Sequence, residues 1–84
     1  MDLDIKVDSI HTKDDLARFV ADLRTDLLAN PEDWENAELG LFLEAMAAWI
    51  EAMEGFYRNA GRSFPDPPFW KTFAEILLAA RIYE

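Results

Sequence analysis

The sequence predicts an all-α fold, a three-helix bundle with a long central second helix. Three observations lead to this fold class. Apolar residues recur with helical spacing in three stretches, the middle stretch is apolar around most of its circumference, and proline or glycine separates each stretch from the next. A chain of 84 residues provides one hydrophobic core, so residues 1–84 form a single small domain.

The N-terminal residues alternate between apolar and charged side chains. Leu3, Ile5 and Val7 occupy every second position, which is the spacing of an extended segment with one apolar edge. No second strand pattern follows, and a lone strand is not stable by itself. We therefore expect residues 2–8 to be extended, lying along the helices or pairing with another chain.

The first predicted helix begins after Thr12, which has capping-box spacing with Asp15. It ends at Asn30, because a residue that precedes proline avoids helical backbone angles. The next residues, 31–35, predict a short helical turn capped by Asn30 with Pro31 at its first position. The apolar face of the first helix consists of Leu16, Phe19, Val20, Leu23 and Leu27.

The second predicted helix starts near Ala37, with Asn36 as its cap, and ends before Gly61, a typical left-handed terminator. Its main apolar stripe comprises Leu39, Leu43, Met46, Ile50, Met53 and Tyr57, and one flank is widened by Phe42, Trp49 and Phe56. Small residues lie opposite, at Ala45, Ala48, Ala52 and Gly55. Such a wide apolar arc indicates neighbours on more than one side, so we expect this helix to be central.

The third predicted helix begins near Pro68, after a proline-rich connection over residues 63–68. Its stripe comprises Trp70, Phe73, Ala74, Leu77 and Ala80. Trp49 and Trp70 lie on apolar faces and are predicted core residues. Trp34 lies among acids in a short connection, where it is either a plug between helices or an exposed anchor. Connections usually pack their aromatic side chains, which favours the plug.

Composition excludes several classes of protein. The chain has no cysteine, which excludes disulfides and thiolate metal sites and fits the reducing cytoplasm. No apolar run approaches the roughly 18 residues of a membrane span, and no signal-peptide pattern opens the sequence. A net charge of −9 disfavours nucleic acid and anionic membranes, and favours a basic partner.

The residues that carry chemistry do not form a recognisable catalytic set. His11 is the single histidine, and its place just before a helix is typical of a capping segment. Glu51 and Glu54 are three residues apart and could flank a cation, but a solvated acidic face is the better explanation, since an oxygen-ligand site needs convergent geometry. We therefore expect no enzyme activity, no cofactor and no metal site.

Charge distribution is the main functional indication. No lysine or arginine occurs between Arg24 and Arg58. The candidate interaction surface comprises Glu32, Asp33, Trp34, Glu35, Glu38, Glu44, Glu51 and Glu54. The expected function is a protein–protein interaction module, with toxin neutralisation or inhibition of a basic protein as one form of it. The alternatives are acidity that serves only solubility, and a self-associating homodimer without catalytic activity.

Several short strings occur together in this sequence: Trp34-Glu35-Asn36, Phe42-Leu43-Glu44-Ala45, Ala48-Trp49, Gly55-Phe56-Tyr57 with Asn59, Trp70 with Phe73-Ala74, and Leu78-Ala79-Ala80 with Tyr83-Glu84. Together they resemble a family of small bacterial proteins, domain of unknown function 7660. The resemblance covers nearly the whole chain after Thr12. It implies a small α-helical protein of bacterial type, and it implies no activity or site residue.

Overall fold

The computed structural model describes residues 2–65 and 69–83, and within these residues it contains helices and no strand. The chain forms an all-α helical bundle, as the apolar spacing predicted. Its elements are α1 (Leu3–Val7), α2 (Lys13–Ala29), a 3₁₀ turn (Pro31–Asp33), α3 (Leu39–Asn59) and α4 (Trp70–Ala80).

The N-terminal segment is a short helix, so the prediction of an extended segment was wrong. The Asp2 carboxylate accepts hydrogen bonds from the backbone N–H groups of Asp4 and Ile5 at 3.1 and 3.3 Å. Leu3 and Val7 are four residues apart on one helical face and are buried, whereas Ile5 is 68% exposed. Positions 3 and 7 lie on one face both in an extended segment and in a helix. Only the exposed or buried state of Ile5 distinguishes the two conformations.

Helix α2 begins at the predicted capping box. The Thr12 hydroxyl accepts a hydrogen bond from the Asp15 N–H at 3.1 Å, and the Asp15 carboxylate accepts one from the Thr12 N–H at 3.2 Å. The backbone N–H of His11 also donates to Asp15, at 3.0 Å. These bonds, the one from His11 above all, lower the pKa of the Asp15 carboxyl. His11 is therefore part of the capping segment.

The turn before α3 differs from the prediction in its caps. Pro31–Asp33 forms one 3₁₀ turn, but the Asn30 side chain does not cap it. Helix α3 starts at Leu39, and Asn36 lies too early in the chain to cap it. The Asn36 amide instead donates to the carbonyl oxygens of Ala80 and Tyr83, at 3.0 and 2.9 Å. Asn36 thus fastens this connection to the end of α4.

The C-terminus of α3 has the predicted glycine cap. Gly61 has a φ of +71°, in the left-handed region that glycine enters without steric cost. The N–H of Arg62 donates to the Tyr57 carbonyl at 2.9 Å, and the N–H of Gly61 donates to the Arg58 carbonyl at 3.0 Å. This pair of bonds is a Schellman motif, which satisfies the last carbonyls of the helix.

Helix α4 is the element on which the other helices pack. The prediction that the second predicted helix, now α3, is central was therefore wrong. Helices α1, α2 and α3 all contact α4, and no Cα atom of α2 lies within 8 Å of one in α3. Ala74 and Ala80 of α4 are completely buried, which lets neighbouring backbones approach closely. Helix α3 is the longest, yet Leu41 and Ala48 on its far side are exposed.

The contacts of α4 fix the directions of its neighbours. Helix α3 runs antiparallel to it, because the Tyr57 hydroxyl donates to Glu75 at 2.7 Å and the rings of Trp49 and Tyr83 lie 5.4 Å apart. Helix α2 runs parallel to it and ends near the Asp26–Arg81 ion pair. The described residues form two core clusters. The first contains Leu3, Val7, Ile10, Phe19, Leu23, Trp34 and Ala74, and the second contains Met53, Tyr57 and Ile76.

The predicted core of the last helix is partly wrong. Trp70 and Phe73 are 43% and 41% exposed, so neither is a core residue. Trp49 is half-buried and stacks against Phe56 with ring centres 4.8 Å apart. The predicted start near Pro68 lies outside the described residues.

Candidate interaction surface

The predicted acidic residues do lie on the outside of the molecule. Their side chains are exposed in both places where they occur, the connection before α3 and α3 itself. The connection contributes Glu32, Asp33, Glu35 and Glu38, and helix α3 contributes Glu44, Glu51 and Glu54. The first and last basic residues that frame this segment, Arg24 and Arg58, are exposed as well.

Trp34 does not belong to this surface, although the candidate set included it. It is 8% exposed and stacks on Phe42 with ring centres 6.0 Å apart. Its indole Nε1 donates to the Asp26 carboxylate at 2.7 Å, and the Arg81 guanidinium lies 5.6 Å from the centre of its ring. Trp34 is therefore the plug between α2, α3 and the end of α4, because the short turn after α2 directs it inward.

Apolar side chains lie exposed on α3 beside the acids. Leu39, Leu43 and Ile50 are 72%, 51% and 48% exposed. Spacings of four and seven residues place all three in one row along the helix. We call these three residues the α3 row. The sequence predicted them as core, and they are uncovered because α3 packs against α4 alone among the helices.

Acids lie on one side of the α3 row. Glu54 follows Ile50 by one helical turn, whereas Glu44 and Glu51 are seven residues apart on the adjacent side of the helix. An apolar row with a charged border is the usual composition of a surface that another protein covers. The absence of a lysine or arginine within α3 before Arg58 makes this border strongly negative.

Three polar side chains contact one another at the C-terminal end of α3. Tyr57 donates to Glu75, and the Arg62 guanidinium lies 4.3 Å from the centre of the Tyr57 ring and 3.4 Å from the Glu75 carboxylate. Burial, reinforced by the hydrogen bond to Glu75, raises the pKa of Tyr57 to about 12. A phenol held protonated in this way serves as a structural hydrogen-bond donor.

The serine and threonine hydroxyls near the N-terminus bond to backbone groups. The Ser9 hydroxyl donates to the Lys6 carbonyl at 2.8 Å, and the Thr12 hydroxyl serves the cap of α2. Within residues 2–65 and 69–83, no three histidine or carboxylate side chains converge on a position where a metal ion could bind. In the same residues, every helix is too short or too polar to cross a membrane.

The comparisons with known proteins give a family and no activity. No curated protein and no solved structure matches the chain. A family model described as "Family of unknown function (DUF7660)" matches residues 12–84, which is most of the chain. The matched region begins at the Thr12 cap and includes α2, α3 and α4. The chain therefore belongs to the DUF7660 family of unknown function.

Proposed function

We propose that this chain is a small interaction protein that binds another protein through the α3 row and its acidic border. The observation that carries the proposal is the exposure of Leu39, Leu43 and Ile50 on a helix whose adjoining face, with Met53 and Tyr57, packs on α4. Large aliphatic side chains in one row are costly to leave in water, and each contributes about 1.5–3 kcal/mol when fully buried. A covering protein would recover that free energy.

The charge of the border favours a basic partner. Glu44, Glu51 and Glu54 lie beside the row, and the whole chain carries a net charge of −9. Positive groups on a partner would be drawn to this face, which accelerates association and makes it sensitive to salt. Neutralisation of a toxin, or inhibition of a basic enzyme, is one form that such a complex would take. The same charge disfavours nucleic acid as the partner.

Binding is better supported than catalysis. The hydroxyls of Ser9 and Thr12 serve helix ends, and His11 precedes α2 with its N–H bound to Asp15. All three groups thus serve the ends of α1 and α2. We place the proposed complex in the cytoplasm of a bacterial cell, where a chain without cysteine is at no disadvantage.

The test is affinity capture with the tagged full chain and matched variants. Leu43→Asp combined with Ile50→Asp places charge on the α3 row. The control combines Ile5→Asp with Leu28→Asp, whose side chains are 68% and 65% exposed elsewhere on the molecule. Circular dichroism and thermal melting establish that each variant is folded.

The proposal predicts a protein that wild type and control retain at low salt and that the α3-row variant loses. Reversal of the border with Glu44→Lys and Glu51→Lys should lose the same protein. If every variant retains the same proteins, or if wild type retains none, the proposed function is wrong.

A further inference from the structure

We infer that a groove between α1 and α3 receives an arginine side chain from a basic segment of another protein. Both helices contact α4, but no Cα atom of α1 lies within 8 Å of one in α3. They leave a groove of about 440 Å³ above α4, with its outer side open to solvent. The groove is separate from the α3 row, because Trp49 lines the groove and Ile50, the next residue, points about 100° away around the helix.

The floor of the groove is apolar. It consists of Leu78 and Ala79 on α4 and of Ile82 just after that helix. Leu78 is half-buried, whereas Ile82 is 51% exposed. Such a floor suits the stem of a long basic side chain, since lysine and arginine cover apolar surface with their methylene groups while the charged end stays hydrated.

The wall on α3 is aromatic. Trp49 and Phe56 stack with ring centres 4.8 Å apart, and Tyr83 makes edge-to-face contacts with both rings, at 5.4 and 6.2 Å. Phe56 is nevertheless 48% exposed. Because its neighbours hold this ring in place, it offers a preformed aromatic surface to a ligand. The planar guanidinium of arginine stacks on aromatic rings better than the compact ammonium of lysine does.

The wall on α1 is acidic, with Asp4 and Asp8 one helical turn apart. The Asp8 carboxylate lies 3.1 Å from the Lys71 ammonium, so it already has a cation. Glu75, which also lines the groove, accepts a hydrogen bond of 2.7 Å from Tyr57. Among the described residues, no lysine or arginine pairs with the Asp4 carboxylate. An incoming cation therefore has one free carboxylate to meet.

The molecule itself shows twice how an arginine fills a site of this composition. The Arg62 guanidinium lies 4.3 Å from the centre of the Tyr57 ring and 3.4 Å from the Glu75 carboxylate. The Arg81 guanidinium lies 5.6 Å from the centre of the Trp34 ring and pairs with a carboxylate of α2. The aromatic and acidic walls of the groove form a third combination of this kind, for which the described residues provide no arginine of their own.

A segment of a basic protein is a better occupant than a free small molecule or a second copy. Sites for small molecules enclose most of the ligand, whereas this groove is open on its outer side. A protein segment gains further contacts outside the groove. A second copy of this chain would bring another net charge of −9, which makes it the poorer occupant.

The probe is a capped peptide of about five residues, with a central arginine between two leucines. One control has citrulline in place of arginine, which keeps the planar shape and removes the charge, and another has lysine. Each peptide is titrated into the isotope-labelled full chain while NMR follows the indole N–H signals. Trp49 reports on the groove, whereas Trp34 and Trp70 report on the plug and on the start of α4.

We expect the arginine peptide to shift the Trp49 signal to saturation and to leave the signals of Trp34 and Trp70 in place. Its affinity should exceed that of the citrulline peptide by at least about tenfold and that of the lysine peptide by about threefold. Added salt should weaken the arginine peptide and leave the citrulline peptide almost unchanged, since only the first is held by charge.

Variants of the protein locate the site. Asp4→Asn should weaken the arginine peptide by about fivefold, and Phe56→Leu by about threefold, since each removes one wall of the arrangement. The controls are Asp14→Asn, an exposed acid on α2, and Phe73→Leu, a ring 41% exposed outside the groove. Each control should change the affinity by less than about twofold. Circular dichroism checks every fold, and the loss of one groove variant to misfolding leaves the other informative.

Four results would overturn the inference. The first is a Trp49 signal that the arginine peptide does not move, or that the citrulline peptide moves at the same concentration. The second is unchanged affinity in both Asp4→Asn and Phe56→Leu. The third is free arginine that binds as tightly as the peptide, which would make a small molecule the occupant. The fourth is a shift of Trp49 when the protein alone is concentrated, which would make a second copy the occupant. The titration uses no captured protein, so it succeeds or fails independently of the test of the α3 row.

Discussion

The indole nitrogen of Trp34 donates a hydrogen bond of 2.7 Å to the Asp26 carboxylate, which joins the turn after α2 to the helix itself. The same carboxylate oxygen lies 3.6 Å from Arg81 Nη1, and the side chains of Asp26 and Arg81 are only 13% and 17% exposed. One carboxylate therefore serves a buried donor from the turn and a cation from the end of α4. Charge-assisted bonds of this kind are strong when they are shielded from water.

Asp26→Ala should strongly destabilise the domain. It leaves the buried indole N–H without its acceptor and the Arg81 guanidinium without its counter-ion, so the free energy of unfolding should fall by about 3 kcal/mol. Urea denaturation measures the change. Asp14→Ala is the control, because the Lys13–Asp14 pair is mostly exposed and should contribute less than about 1 kcal/mol. Equal losses in the two variants would contradict the buried role of Asp26.

Asn36 should contribute as much to the free energy of unfolding as a core residue does, although it is polar. Its amide donates to two carbonyl oxygens at the end of α4, and its backbone N–H donates to the Arg81 carbonyl at 2.9 Å. Asn36→Ala should lower the free energy of unfolding by about 2 kcal/mol. Asn36→Asp should be at least as harmful, because a carboxylate cannot donate and would face those carbonyls.

Urea denaturation of the Asn36 variants is compared with that of Asn59→Ala, an exposed asparagine at the end of α3. This control should change the free energy of unfolding by no more than about 0.5 kcal/mol. If Asn36→Asp is as stable as wild type, the connection before α3 is not held by the Asn36 amide.

Tyr57 should make the domain sensitive to alkali. Burial, followed by the hydrogen bond to Glu75, raises its pKa from an ordinary value of 10.0 to about 12 in the folded chain. The folded state then holds the proton more tightly than the unfolded state. Its contribution to stability is complete below pH 10.0 and is lost as the pH rises through about 12.

Thermal melting across this alkaline range tests the effect, with absorbance of the phenolate as a direct readout of titration. Tyr57→Phe should melt at a lower temperature at neutral pH, because Glu75 loses its donor, and should show a shallower decline in alkali. Tyr83→Phe is the matched control and should keep the decline. If wild type and Tyr57→Phe lose thermal stability equally in alkali, Tyr57 is not the group responsible for that loss.

Substitutions in α1 should follow a helical pattern. Leu3→Ala and Val7→Ala remove buried side chains and should each lower the free energy of unfolding by about 1–3 kcal/mol. Ile5→Ala changes an exposed side chain and should have an effect below about 0.5 kcal/mol. Urea denaturation of the three variants separates the two conformations, because an extended segment with one apolar edge would make all three substitutions similar.

Local signals in the sequence determined the three long helices and several of their ends. The Thr12–Asp15 pair predicted the start of α2, Pro31 its end, and Gly61 the end of α3, because each of these depends on backbone geometry within a few residues. The all-α class followed from apolar spacing, which is also a property of each stretch alone. The acidic residues lie outside, as expected, since a charged carboxylate is most stable in water.

The tertiary structure alone decided which apolar faces are covered. A wide apolar arc on α3 predicts burial but does not reveal whether a neighbour reaches every part of it, and so Leu43 and Ile50 were assigned to the core when they lie on the surface. Asn36 and Ile5 were misjudged for the same reason, because their surroundings come from the distant α4 and from the packing of α1. The sequence determined what each segment can form by itself. Contacts between residues far apart in the chain determined which helix became the centre and which surface was left open, since burial depends on neighbours that no local pattern encodes.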